Sequence, residues 1–107
     1  MEETLKNLCF SAKRALREQT PETLRAYSFE IDPEKKLIRL RAHFAQPPSE
    51  DDLEAISVVE TEIDADFLDD FEGETGVKIV APGMPLSFLS GGVAYLRQGE
   101  AGAICSE

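Results

Sequence analysis

Three features of this 107-residue chain predict an α+β domain of order α-β-β-α-β-β, with a four-stranded antiparallel sheet and two helices packed on one face. Apolar residues recur at helical spacing in two stretches. They alternate with polar residues in two others, and Pro or Gly punctuates the junctions. Hydrophobic residues at 42% against 30% charged favour a folded chain over a disordered one. The length suits one core, expected over residues 1–98, with a flexible C-terminal tail at 99–107.

The first helix is expected over 3–18, where Leu5, Leu8, Cys9, Ala12 and Leu16 form one side. Lys6, Lys13, Arg14 and Arg17 fall on the others. A hairpin follows: Tyr27, Phe29 and Ile31 alternate with Ser28 and Glu30, and Ile38, Leu40, Ala42 and Phe44 alternate with Arg39, Arg41 and His43. Asp32-Pro33-Glu34-Lys35-Lys36 supplies the turn. Such alternation predicts one buried and one wet face, with Glu30 near Arg39 or Arg41 across the pair. Gln46-Pro47-Pro48 ends the hairpin, because proline cannot continue a ladder.

Ser49 then caps a second helix, with Asp52 three residues on in the manner of a capping box. Leu53, Ile56, Val59, Ile63 and Phe67 make a continuous apolar stripe, and the helix is expected to end between Asp66 and Glu72. A third strand is expected over Val77 to Ala81 and a fourth over Val93 to Arg97. Between them lies an apolar stretch, Met84, Leu86, Phe88 and Leu89, broken by Pro85 and ended by Gly91-Gly92.

The net charge of −10 is unevenly spread. Residues 50–74 hold twelve acids and no Lys or Arg, whereas the rest of the chain holds nine acids against eleven bases. One quarter of the sequence therefore carries all the excess. Such a patch repels nucleic acid and anionic membranes and attracts basic proteins. The N-terminus, MEETLKNLCF, has acids where a secretory signal carries positive charge, and no apolar run approaches the ~20 residues of a membrane span. A cytoplasmic protein is expected. Cys9 and Cys105 show no metal-site or disulfide-framework spacing and are read as free thiols.

No catalytic constellation assembles. A calcium loop starting at Asp64 would need Gly at its sixth position and Glu at its twelfth, but finds Asp69 and Thr75. His43, the only histidine, lies on the wet face of its strand with nothing placing a nucleophile beside it. Ser87, Ser90 and Gly91-Gly92 match neither a nucleophile elbow nor a phosphate loop. The expectation is a non-enzyme without cofactor or metal.

What remains is the acidic helix. At about 100° per residue, Asp51, Glu54, Val58, Thr61, Glu62, Ala65 and Asp69 lie roughly opposite the apolar stripe. Glu60 and Asp64 lie on one flank and Asp66 on the other. Val58 and Ala65 thus sit among carboxylates, an apolar centre with a charged rim. Glu62, Asp64, Asp66, Asp69 and Asp70 also face the negative end of the helix dipole, each at about 0.3–1 kcal/mol before screening. A basic partner would relieve that repulsion.

The stretch YSFEIDPEKKLIRLRAHFAQPPSEDDLEAISVVETEIDADF, about residues 25–71, resembles small bacterial immunity proteins of polymorphic toxin and contact-dependent growth inhibition systems. The resemblance implies a protein that binds a cognate toxin, often a basic nuclease, and blocks its active site or substrate groove. It places that role on Glu60, Glu62, Asp64, Asp66, Asp69 and Asp70, to which the helical wheel adds Glu54 and Val58. The expected partner is therefore a basic protein toxin, with no nucleic acid or membrane, bound by a monomer. The alternative is a secretion chaperone or adaptor that grips an effector segment on Met84, Leu86, Phe88 and Leu89.

Overall fold

The computed structural model describes residues 2–67 and 71–105. Helix α1 (Glu2–Glu18) and strands β1 (Leu24–Asp32) and β2 (Leu37–Phe44) come first. Helix α2 (Glu50–Asp66) and strands β3 (Glu72–Ile79) and β4 (Gly92–Leu96) follow. The element order is the expected one, but the sheet is mixed and not purely antiparallel: β1 pairs antiparallel with β2 and β4, while β3 runs parallel to β2. The strand order is β3-β2-β1-β4. The cause is the connection. A helix between β2 and β3 carries the chain back to its starting end, so the next neighbouring strand points the same way.

The hairpin register puts Tyr27 opposite Ala42, Phe29 opposite Leu40 and Ile31 opposite Ile38. These side chains share one face. There they meet Leu8, Ala12 and Leu16 of α1 and Ile56, Val59 and Ile63 of α2 in one core. The expected cross-strand pair also forms: Arg39 Nη1 lies 3.1 Å from Glu30 Oε2.

The face expected to be wet is partly covered. Ser28 and His43 are both 0% exposed. The segment after β3 folds across them: Leu89 N–H donates to Ser28 Oγ at 3.1 Å, Arg41 Nη1 donates to the Ser87 carbonyl at 2.9 Å, and the Phe88 ring stands edge-on to His43 at 5.6 Å. Alternation says which side chains share a face; it does not say whether a later, aperiodic segment will cover them.

Both cysteines depart from the reading as free thiols. Cys9 and Cys105 form a disulfide across a sequence separation of 96. The stretch read as a tail is attached there and at Glu100, and Cys105 N–H donates to the Val93 carbonyl of β4 at 2.7 Å.

Candidate functional site

Helix α2 begins as its sequence dictates. Ser49 Oγ accepts the Asp52 N–H at 3.1 Å and the Asp52 carboxylate accepts the Ser49 N–H at 3.1 Å. Glu50, Asp51 and Asp52 stabilise the positive end of the dipole. Ile56, Val59, Ile63 and Phe67 are buried, but Leu53 is 45% exposed and stands outside the core. The last turn holds no base.

The candidate residues divide by surroundings. Glu54 and Val58 face solvent, together with Asp51, Thr61 and Ala65. Glu60 turns toward β3, where its Oε1 accepts the Thr75 hydroxyl at 2.7 Å. Asp64 leans over Gly73: a Cβ at position 73 would fall 2.1 Å from Asp64 Oδ1, so a side chain there would push the carboxylate aside. Burial, then Glu60 and Glu72, raise the Asp64 pKa. Asp66 reaches α1, where its Oδ2 accepts the Ser11 hydroxyl at 2.5 Å and Arg14 Nη2 at 2.7 Å. Glu62 is half-buried, and its Oε2 has no hydrogen-bond partner among the described residues. Asp69 and Asp70 lie outside the described residues.

His43 is not solvent-facing as expected. Its Nε2 is 3.0 Å from Ser28 Oγ, a spacing that suits nucleophile and base. Access and polarisation are missing. Both residues are sealed, and His43 Nδ1 has no partner among the described residues. Burial first, then the charges of Arg41, Lys78 and Arg25, lower the imidazole pKa to about 4. The pair therefore bolts the 88–89 segment to the sheet and does not present a nucleophile.

The sequence reading passed over Arg25. It sits at the β1 irregularity between Leu24 and Ala26, and its guanidinium is held bidentately by Glu100 and by the carbonyls of Val80, Ala81 and Met84. The only signal was a cation interrupting an apolar strand start. It floors a cleft of about 610 Å³ lined also by Pro82, Pro85 and Arg97. With five donations made, the guanidinium has no donor left for a ligand.

The class these observations define is a two-layer α+β domain with two helices on one face of a four-stranded mixed sheet. The family comparison narrows it. The chain belongs to the MafI2 immunity protein family, whose model matches residues 5–99 and so takes in all six elements. It is a bacterial immunity protein of a polymorphic toxin system, and its partner is a cognate toxin. No curated protein matches the chain. Among the described residues, no helix is long and apolar enough to cross a membrane.

Proposed function

We propose that the chain neutralises its toxin through the outer face of α2, and that the toxin is a basic protein, a nuclease by its chemistry. The observation that carries this reading is the twelve acids without a base over residues 50–74, whose outward members Asp51 and Glu54 are exposed around Val58. Glu60 and Asp66 are bonded to β3 and α1, and Asp64 packs over Gly73 with its Oδ1 lacking a hydrogen-bond partner among the described residues, so the three act by their field. Asp69 and Asp70 extend the same charge in sequence. Against a groove that binds nucleic acid, these carboxylates would take the places of substrate phosphates. The nearby Coulomb partners of Asp64 are acids, Glu60 and Glu72. A cationic partner relieves their repulsion, and it associates faster because of it.

Glu54→Lys with Glu62→Lys tests this reading. At low salt the association rate with the toxin should fall by about tenfold or more, and raising salt should narrow the difference as the Debye length shortens from about 10 Å at 0.1 M. An unchanged rate together with unchanged protection of toxin-expressing cells overturns the acidic-face reading.

The proposed place of action is the cytoplasm, where a contact-delivered nuclease meets its target. The Cys9–Cys105 bond speaks for an oxidising compartment, since reducing cytosol keeps most thiols free. Trapping thiols in intact cells decides the point: two alkylated cysteines place the working protein in a reducing compartment.

A further inference from the structure

The two edges of the sheet differ. The β4 edge is short, has a register shift opposite Tyr27/Ser28, and is covered by its own chain, since Cys105 N–H donates to the Val93 carbonyl. The β3 edge has none of these guards. Its eight residues pair with β2 without interruption, from Leu37↔Glu72 to Phe44↔Ile79. It contains no proline.

Parallel pairing settles which backbone groups are left over. Glu72 N–H donates to the Lys36 carbonyl at 2.9 Å and Val80 N–H to the Phe44 carbonyl at 2.8 Å. Even-numbered residues therefore point their amides at β2. The N–H and C=O groups of Gly73, Thr75, Val77 and Ile79 point away from the sheet. No backbone hydrogen bond to them from outside the sheet occurs among the described residues. The side chains at this end are apolar and open: Val77 is 42% and Ile79 54% exposed. Glu60 on Thr75 and Asp64 on Gly73 show that α2 runs antiparallel along β3, so the N-terminal half of α2, where Leu53 is 45% exposed, lies toward the end that holds Val77 and Ile79. A long edge with regular outward backbone groups and apolar side chains at one end invites another strand, and the charges on β3, Glu72, Glu74 and Lys78, bear on which strand it accepts.

We propose that β3 is a docking rail for an extended segment of the cognate toxin, which adds to the sheet as a fifth strand. The strand form follows from the row of outward amides and carbonyls, which only another extended backbone satisfies in register. The sign of the segment follows from its neighbours: Glu60 on Thr75, Asp64 over Gly73 and Glu72 at the strand's start crowd the helix side of the rail, while the opposite face carries Glu74, paired with Arg39 at 3.5 Å, and the bases Arg41 and Lys78. A basic strand fits, whereas a second copy would bring another net charge of −10 to the same edge. The choice of occupant rests on the reading of the toxin as a basic partner.

Amide hydrogen exchange on the full chain, free and bound to a catalytically inactive variant of the cognate toxin domain, tests the proposal. The amides of Gly73, Thr75, Val77 and Ile79 should slow by about tenfold or more on binding, while those of Glu74, Gly76 and Lys78 are protected already. Val77→Pro removes one outward N–H and no β2–β3 bond, so its melting curve should match wild type while toxin affinity falls by about tenfold or more. Ile79→Lys, an edge guard that leaves the backbone intact, should weaken binding as well. Odd-numbered amides that stay fast in a full-affinity complex overturn the rail and leave the acidic-face reading standing. Slow odd-numbered amides with charge reversal on α2 ineffective sink the acidic-face reading instead. Protection that appears in the free chain as its mass doubles makes the occupant a second copy and overturns the proposal.

Discussion

Replacing Glu100 by Ala should destabilise the protein by about 2–3 kcal/mol. Arg25 is 4% exposed, and Glu100 accepts from its Nε and Nη2 at 2.6 and 2.7 Å. The carboxylate is the counter-ion, and its hydrogen bond to Arg25 holds its own pKa below the usual range. Its loss removes two charge-assisted bonds and leaves a guanidinium with three carbonyl partners at 3.0–3.1 Å. Orphaning a fully buried charge costs about 3–5 kcal/mol. The Glu100 side chain is 19% exposed and the pair borders an open cleft, so water replaces part of what is lost and the effect falls below that range. Urea unfolding at pH 7 should show a lower midpoint at constant slope. Thermal melting should fall by about 10–20 °C, from about 4–8 °C per kcal/mol in a domain this small. Arg25→Met and the double variant close a cycle. The double should lose about 2 kcal/mol less than the two singles together, because no charge is then stranded. A Glu100→Ala loss under about 0.5 kcal/mol, or strict additivity, refutes the clamp.

Two further perturbations address the covered face and the disulfide. The pKa of His43 is about 4 in the fold against 6.5 for the free group, so the unfolded chain takes up its proton first. This contribution is whole above pH 6.5 and shrinks toward pH 4, by up to about 3 kcal/mol at about 1.4 kcal/mol per unit; Asp64, with its raised pKa, works in the opposite direction. The stability gap between wild type and His43→Gln should narrow as pH falls from 7 to 4.5, and a constant gap counts against the assignment. Cys105→Ser opens a ring with a sequence separation of 96 and should cost about 2–5 kcal/mol, read as a midpoint shift that reductant reproduces in wild type. Insensitivity of wild type to reductant refutes it.

The parts of the fold legible in the sequence are those written in periodicity and capping. Ser49 with Asp52, and Ile56, Val59 and Ile63 at helical spacing, specify α2; alternation specifies the hairpin and places Glu30 near Arg39 or Arg41, of which the structure pairs it with Arg39. The beginning of β3 was missed because Glu72 to Gly76 is polar and glycine-rich, as an edge strand with little to bury can be. Its direction is not written in local pattern either: alternation and turn residues do not say that the helix between β2 and β3 is a crossover that returns the chain for a parallel strand. The coverage of His43 and the Cys9–Cys105 bond lie beyond local pattern altogether. The segment over His43 has no period, and two cysteines 96 apart carry no spacing signal. Within the candidate set, the helical wheel separated outward Glu54 and Val58 from the flanks. Which flank each carboxylate bonds to is decided by tertiary packing: Glu60 to Thr75, and Asp66 to Ser11 and Arg14.

The two proposed surfaces act on different steps of one encounter. Glu60 binds Thr75, so the acidic helix and the open edge lie side by side, and one basic strand laid on β3 would run within reach of the α2 carboxylates. Long-range charge acts before contact and sets how often partners meet, whereas backbone pairing forms only at contact and sets how long they stay. Charge reversal on α2 should therefore slow association while leaving dissociation nearly unchanged, and Val77→Pro should do the reverse. An immunity protein needs both properties, because it must reach the toxin before the toxin reaches its target and must then hold it. The arrangement also accounts for acids kept at the unfavourable end of α2. Asp66 is offset by Arg14, but Asp64 faces Glu60 and Glu72, a repulsion that a cationic strand on the neighbouring edge would remove.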